Sequence, residues 1–320
     1  MNALPNCSPW RSACKIGWLW WQRITPLEAP CIFWASCPWP TPTWHRRWRS
    51  IRPRNPVPNA LLRWRADAEV VGRCHTTHIL WLLGYPDQAL QQSQEALALA
   101  QELEHPWSLA FACLHAARLH QFRREVHGVY KHAEAVIALA TAHGFPHYVA
   151  LGTILRGWAL TAQAQEAAGM TQIWQGFASY RATGAHVYQP YVLALLAEAF
   201  GRRGRVDEGL SYLTEALTLV DTTAEGWWTA ELYRLQGEAR LQQALSAAAQ
   251  AEACFHQALA LARRQQAKSL ELRAAMSLSR LWQQQGKRDA ARAILAPIYG
   301  WFTEGFDTAD LQEAQALLEG

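Results

Sequence analysis

WLLGYPDQALQQSQEALALAQELEHPWSLAFACLHAARLHQ, residues 81–121, reads as a helix end, a tight turn, a helix, a short turn and a second helix. Gly84 breaks the first helix, and Pro86-Asp87 restart the chain. From Ala89 to Leu103 the small and apolar residues recur at three- and four-residue spacing: Ala89, Leu90, Ala96, Leu97, Leu99, Ala100 and Leu103. That is the period of a helix with one buried face. His105-Pro106 ends it, because proline is excluded from a helix interior but fits the first turn of the next helix.

The pattern returns along the chain as helix hairpins. The first has an ill-formed leading helix, His75–Leu83, and a regular second one, Asp87–Leu103. The next four are predicted at Trp107–Gln121 with Val126–Thr141, His147–Gln163 with Glu166–Arg181, Pro190–Arg203 with Val206–Val220, and Trp228–Gln243 with Ala251–Arg264. The last joins a loose linker, Ser246–Ala249, to its second helix. Ser269–Gln285 and Asp289–Phe302 make a sixth hairpin, and Ala309–Leu318, capped by Asp307, closes the chain. Gly84, Gly204 and Gly286 fall at the same inter-helix turn, 120 and 82 residues apart, or three and two repeats of 40 to 41. His105-Pro106 and Phe145-Pro146 are also 40 apart. Second helices carry a triplet with a small first member: Ala89/Ser93/Ala96, Gly128/His132/Ala135, Gly209/Leu213/Ala216, Ala251/Phe255/Ala258 and Ala291/Leu295/Ile298. Gly169 and Gly176 are further small contact positions. A small residue there lets paired helices approach closely, and stacking the pairs buries faces that no single pair can cover. The expectation is an all-α solenoid of about six antiparallel hairpins with a C-terminal capping helix.

This grammar resembles tetratricopeptide (TPR) repeats. Leu196, Ala197, Phe200, Gly204, Gly209, Leu213 and Ala216 carry the motif best, followed by Leu278, Ser279, Trp282, Gly286, Ala291 and Leu295. The period is about 40 residues rather than the usual 34. The resemblance implies a right-handed TPR-like superhelix. The phrases LWLLGYPDQAL (80–90), ALATAHGFP (138–146), GTILRGWAL (152–160), AELYRLQGE (230–238), residues 253–282 and LAPIYGWFTEGFDTADLQEA (295–314) resemble the C-terminal array of bacterial multidomain signalling proteins. Those proteins carry a class III adenylate/guanylate cyclase domain in many cases, then a P-loop ATPase. The resemblance covers residues 74–320. It implies a regulatory array, or a C-terminal fragment of a cyclase/ATPase-type sensor, because the chain has no GxxxxGK[ST] phosphate loop.

Residues 1–73 follow no such grammar. The first 65 hold nine of 17 Trp, ten of 15 Pro, four of seven Cys and ten of 30 Lys+Arg, with Glu28 the only acid. The remainder has 20 basic and 25 acidic groups, a formal net of −5, so the overall +4 belongs to this opening stretch. Such composition fits neither ordinary globular nor ordinary disordered chains. It reads as an irregular segment, disordered or an out-of-frame or misassigned start, joined to a genuine domain at 74–320; a real but unfamiliar extension is a second reading. An aromatic-basic arm for nucleic acid is a further alternative, and it predicts salt-dependent binding. The repeat region itself has no charge excess to attract nucleic acid. No run is long enough for a membrane span, the Gly17–Trp21 patch is too short for a signal-peptide core, and the odd cysteine count implies no disulfide framework. A cytoplasmic location is therefore expected.

Candidate chemistry is sparse. Cys74, His75 and His78 lack a second ligand pair for a metal. His115 and His120, five apart, share no helix face; Cys113 and Cys254 lie within apolar faces. Nothing assembles a nucleophile, base and orienter, so no catalytic, cofactor or metal site is expected. The TPR resemblance implies instead that first helices line a concave wall. Its candidate binding residues are Ile154, Trp158, Tyr191, Glu198, Glu231, Arg234, Glu238, Arg273, Met276 and Arg280, aromatic and acidic at one end and basic at the other. The expected partner is a protein or peptide, or another domain of the same signalling system.

Overall fold

The computed structural model describes residues 67–320, and all six expected hairpins are present there. They are α1 (Ala68–Leu82) with α2 (Pro86–Glu102), α3 (Pro106–Phe122) with α4 (Val126–His143), and α5 (Pro146–Ala162) with α6 (Glu166–Ala182). There follow α7 (Gln189–Arg202) with α8 (Val206–Thr223), α9 (Thr229–Gln243) with α10 (Ala248–Gln265), and α11 (Lys268–Gln284) with α12 (Arg288–Tyr299). The capping helix is α13 (Ala309–Glu319). The nucleic-acid-arm, disorder, misassigned-start and extension readings of the opening segment fall, for 1–66, outside the described residues.

Local chemistry explains most helix ends. Pro86, Pro106 and Pro146 open α2, α3 and α5, where the missing N–H has no helical partner anyway. The leading helix starts at Ala68 rather than His75, because Asp67 accepts hydrogen bonds from the N–H groups of Glu69 (2.8 Å) and Val70 (3.3 Å). Thr308, not Asp307, occupies the N-cap of α13; its hydroxyl donates to the Gly305 carbonyl (2.6 Å). The loose Ala/Ser linker is a 3-10 turn, residues 245–247.

The repeat is more regular in the backbone than in the sequence. Left-handed turn residues stand at Gly84, Arg124, Ala164 and Gly204, each 40 apart, and again at Gly286. Between hairpins the same conformation recurs at Glu104, Gly144, Gly184 and Ala224. Glycine takes this conformation freely, whereas the others carry a steric cost of about 1–2 kcal/mol.

First helices pack on first helices through the whole series, α1 on α3 through to α11 on α13, with the second helices outside. The burial pattern follows: α3 buries twelve residues and α4 only four. The first members of four triplets, Ala89, Gly209, Ala251 and Ala291, are buried; in α4 the buried face is Val129/Ala133/Val136, one residue on from the expected Gly128/His132/Ala135. One apolar core runs from Leu80 to Leu270, and a second joins α10–α13. The series also returns on itself, since α11 touches α1. Among the described residues no helix is long and apolar enough to cross a membrane.

Candidate binding site inside the closed array

Closure depends on a polar seam. Ser269 Oγ donates to the Trp81 carbonyl (2.5 Å), and the Arg273 guanidinium to that of Phe122. The carboxylate of Glu304 accepts from the Asp87 and Gln88 N–H groups (3.0 and 3.1 Å) at the start of α2. Asp87 in turn accepts from the Gly305 N–H (2.9 Å). Arg124, in the α3–α4 turn, reaches Asp310 (3.2 Å) and Glu313 (2.7 Å) of α13.

The consequence for the inner wall is plain. Ile154, Trp158, Tyr191 and Met276 are 1%, 3%, 2% and 2% exposed, so the apolar part of the wall is core, whereas the Glu198, Glu238 and Arg280 side chains keep 30%, 34% and 33% of their surface. A superhelix that completes its turn covers its own concave face. Trp158 Nε1 donates to Glu198 (3.1 Å), whose other oxygen accepts from Arg202 (2.7 Å). Tyr191 donates its hydroxyl to Gln121 Oε1 (2.8 Å). Glu231, Arg234, Glu238 and Arg273 do come together. Arg234 forms a bidentate pair with Glu231 (2.8 and 2.7 Å) and bonds Glu238, which also accepts from Ser277 (2.8 Å). Arg273 lies 3.6 Å from Glu231 and donates to Asp310 (2.8 Å). The two guanidinium groups hold Glu231 ionised despite its burial, with its carboxyl below the usual range. Arg280 pairs with Glu313 and so joins the same charge network through Arg124 and Asp310.

Sequence reading missed the polar centre near α3. Arg118 is 1% exposed, and its Nε and Nη1 have no acceptor. Its Cζ lies 3.9 Å from the Tyr188 ring centroid and 5.6 Å from that of Tyr191. Tyr188 is held at φ 70°, a conformation an aromatic residue rarely adopts. Its N–H donates to both oxygens of Glu225 (2.8 and 2.9 Å), which also accepts from Trp227 Nε1 (3.0 Å). That carboxylate is thus engaged and lies beyond ion-pair distance of Arg118. A desolvated cation–π contact is worth about 2 kcal/mol, less than the several kcal/mol that removing an ion from water costs. An arginine in an alanine-rich helix gives no linear signal of this environment.

Beside Arg118, His75 and His78 of α1 meet His115 of α3, with ring centroids 5.2 and 4.7 Å from His115. His120 instead turns to Glu125 (2.5 Å) and stacks on His132. The imidazoles of His78 and His115 stack face to face, and no group of three His, Cys, Asp or Glu side chains among the described residues could hold a metal ion. Burial, with the Arg118 field added, lowers His75 to about 4 and holds His78 and His115 well below the ordinary range. Burial also lowers His132 to about 4. In the unfolded chain these groups take protons near pH 6.5. Folded stability is therefore complete above that pH and falls as pH drops from about 6.5 toward 4, by up to ~1.4 kcal/mol per pH unit for each imidazole. Buried Glu225, whose carboxyl is raised, works in the opposite sense. Melting temperatures across pH 8 to 4 should be level at first and then fall steeply, well before ordinary carboxylates titrate. A flat profile down to pH 5 would contradict the buried neutral cluster. Burial raises the thiols as well, Cys113 to about 11 and Cys74 further, which leaves them protonated and unreactive.

No family model matches the chain. A segment of 168 residues, 52% of the chain, is 24% identical to an uncharacterized protein of Rhizobium meliloti (strain 1021), and the match spans 16% of that relative. Among solved structures, a Rap protein complexed with competence and sporulation factor aligns over 95% of this chain and 78% of its own, with TM-score 0.60 and 13% identity. The apo form of RapI aligns over 97% and 98%, with TM-score 0.54 and 9% identity. The likeness is one of fold: this is a TPR-like helical-repeat protein resembling Rap-type arrays.

Proposed function

We propose that the array is a non-catalytic regulatory domain that receives a protein or peptide segment on its inner wall, and that the closed ring is its resting form. The observation that carries this reading is the seam. It joins hydrogen bonds and ion pairs between α1–α4 and α11–α13 to the Tyr85–Trp301 ring contact and to Leu270, which packs in one core with Leu80 and Trp81; only its exposed polar contacts exchange for water at modest net cost. Parting it would uncover a wall of aromatic rings and fixed charges suited to a segment of defined sequence. The Rap complex with competence and sporulation factor supports this use of the fold. The sequence resemblance to cyclase–ATPase proteins supports a place in a bacterial signalling system. The Rhizobium relative supports the array as one part of a longer system. Affinity capture with the full chain tests the reading. Arg234→Glu should abolish partner recovery while circular dichroism stays helical, and Trp174→Ala on the exposed face should leave recovery unchanged. Recovery insensitive to Arg234→Glu would place binding elsewhere.

A further inference from the structure

We propose that Arg118 is the anchor of an internal site for a small ligand bearing an oxyanion, the carboxylate or phosphate group of a small molecule. Four observations converge on it. The side chain is 1% exposed, yet its Nε and Nη1 are unaccepted and no carboxylate among the described residues lies within ion-pair distance. Guanidinium cannot shed its charge, and its planar fork matches an oxyanion in bidentate geometry. The Tyr188 ring against the guanidinium is held there by a left-handed backbone that the Glu225 carboxylate clamps through the Tyr188 N–H. A costly conformation kept in place by a buried carboxylate marks a position the fold specifies. His115 Nδ1, on the same face of α3 three residues away, is a second buried ring nitrogen without a partner.

The surroundings define the ligand. His78 and His115 are kept uncharged, so Arg118 supplies the positive charge; His115 Nδ1 is the neutral ring nitrogen left to hydrogen-bond, since His78 Nε2 already lies 3.2 Å from the His115 carbonyl. Tyr188, whose ring covers the guanidinium, and His147 are only partly buried, so they are the groups whose displacement would admit a ligand. Aromatic walls and one fixed charge suit a compact oxyanion rather than an extended acidic chain. The site rests on the contacts of Arg118 itself rather than on the partner reading above, although Tyr191 of the inner wall borders it at 5.6 Å.

Thermal unfolding of the full chain tests this with sodium acetate and sodium phosphate as separate probes, total ionic strength being kept constant with sodium chloride. At least one probe should raise the melting temperature saturably, by about 5 °C. Acetate alone acting identifies a carboxylate site, phosphate alone a phosphate site, and both a general oxyanion site. Arg118→Met should remove the response and, in chloride alone, melt no lower than the native chain, since it deletes an uncompensated buried charge. Arg118→Lys, which keeps the charge without the fork, should respond at least tenfold more weakly in half-saturating concentration; it serves if the methionine variant fails to fold. The absence of a saturable shift with either probe, a shift that survives in folded Arg118→Met, or an Arg118→Lys response at the native half-saturating concentration overturns the proposal.

Discussion

Replacing Gly169 by valine is expected to destabilise the array by ~3 kcal/mol or more, the upper end of what overpacking costs. A Cβ at this position would lie 2.5 Å from the Gly157 carbonyl oxygen and 2.7 Å from the Thr161 N–H nitrogen. Both are backbone atoms of α5, so no side-chain rotation relieves the clash, and α5 and α6 must separate. The contact is reciprocal: a Cβ on Gly157 would meet the Gly169 oxygen at 2.6 Å. For a domain of this size the loss is about 6–12 °C in melting temperature. Gly144→Ala is the control. Gly144 also has a positive φ, 72°, but open space around its Cβ position, so it should lose only the ~1–2 kcal/mol of the left-handed conformation. Equal losses at the two sites, read by thermal and urea denaturation, would mean that helix approach is not what Gly169 provides.

Arg273→Ala is expected to cost ~3 kcal/mol and to open the ring, because breaking one member of a buried charge set leaves the others unpaired. Arg273 is 8% exposed and serves three elements: Asp310 of α13, Glu231 of α9 and the Phe122 carbonyl at the end of α3. Its Cζ also lies 5.0 Å from the Trp81 ring centroid. Arg124 still reaches Asp310 in the variant, which keeps the loss at the lower end of the usual range. The distinctive readout is shape. Small-angle scattering should show a larger radius of gyration for Arg273→Ala, and hydrogen exchange should rise first in α1 and α13. A variant that loses stability without expanding would show that the α9–α11 packing, rather than the seam, depends on this residue.

Much of this fold is written in local periodicity. The 40-residue spacing of Gly84 and Gly204, the proline starts at Pro86, Pro106 and Pro146, and the small triplet positions each act over one or two helical turns. Their meaning survives without tertiary context. The turns at Arg124 and Ala164 occupy the same register but carry no glycine, so only the backbone reveals them. The α1 start was obscured because the Asp67 cap follows a stretch of unlike composition. The functional residues were less legible. Inner-wall positions could be chosen by helix register, and Glu231, Arg234, Glu238 and Arg273 do meet. Whether that wall is open depends on α11 finding α1, a contact between residues nearly 190 positions apart, as in Ser269 with Trp81.

By itself, then, the sequence determined that the chain is an array of paired helices with a period near 40 and a small residue at most close approaches, α4 with Val129 being the exception, because helix faces and turns are encoded locally. The tertiary structure alone decided that the array closes, that the apolar wall positions Ile154, Trp158, Tyr191 and Met276 are buried, and that Arg118 is buried without an acceptor at Nε and Nη1. Those outcomes depend on how small rotations between successive hairpins accumulate around the superhelix, and on which distant side chains that sum brings within hydrogen-bond reach.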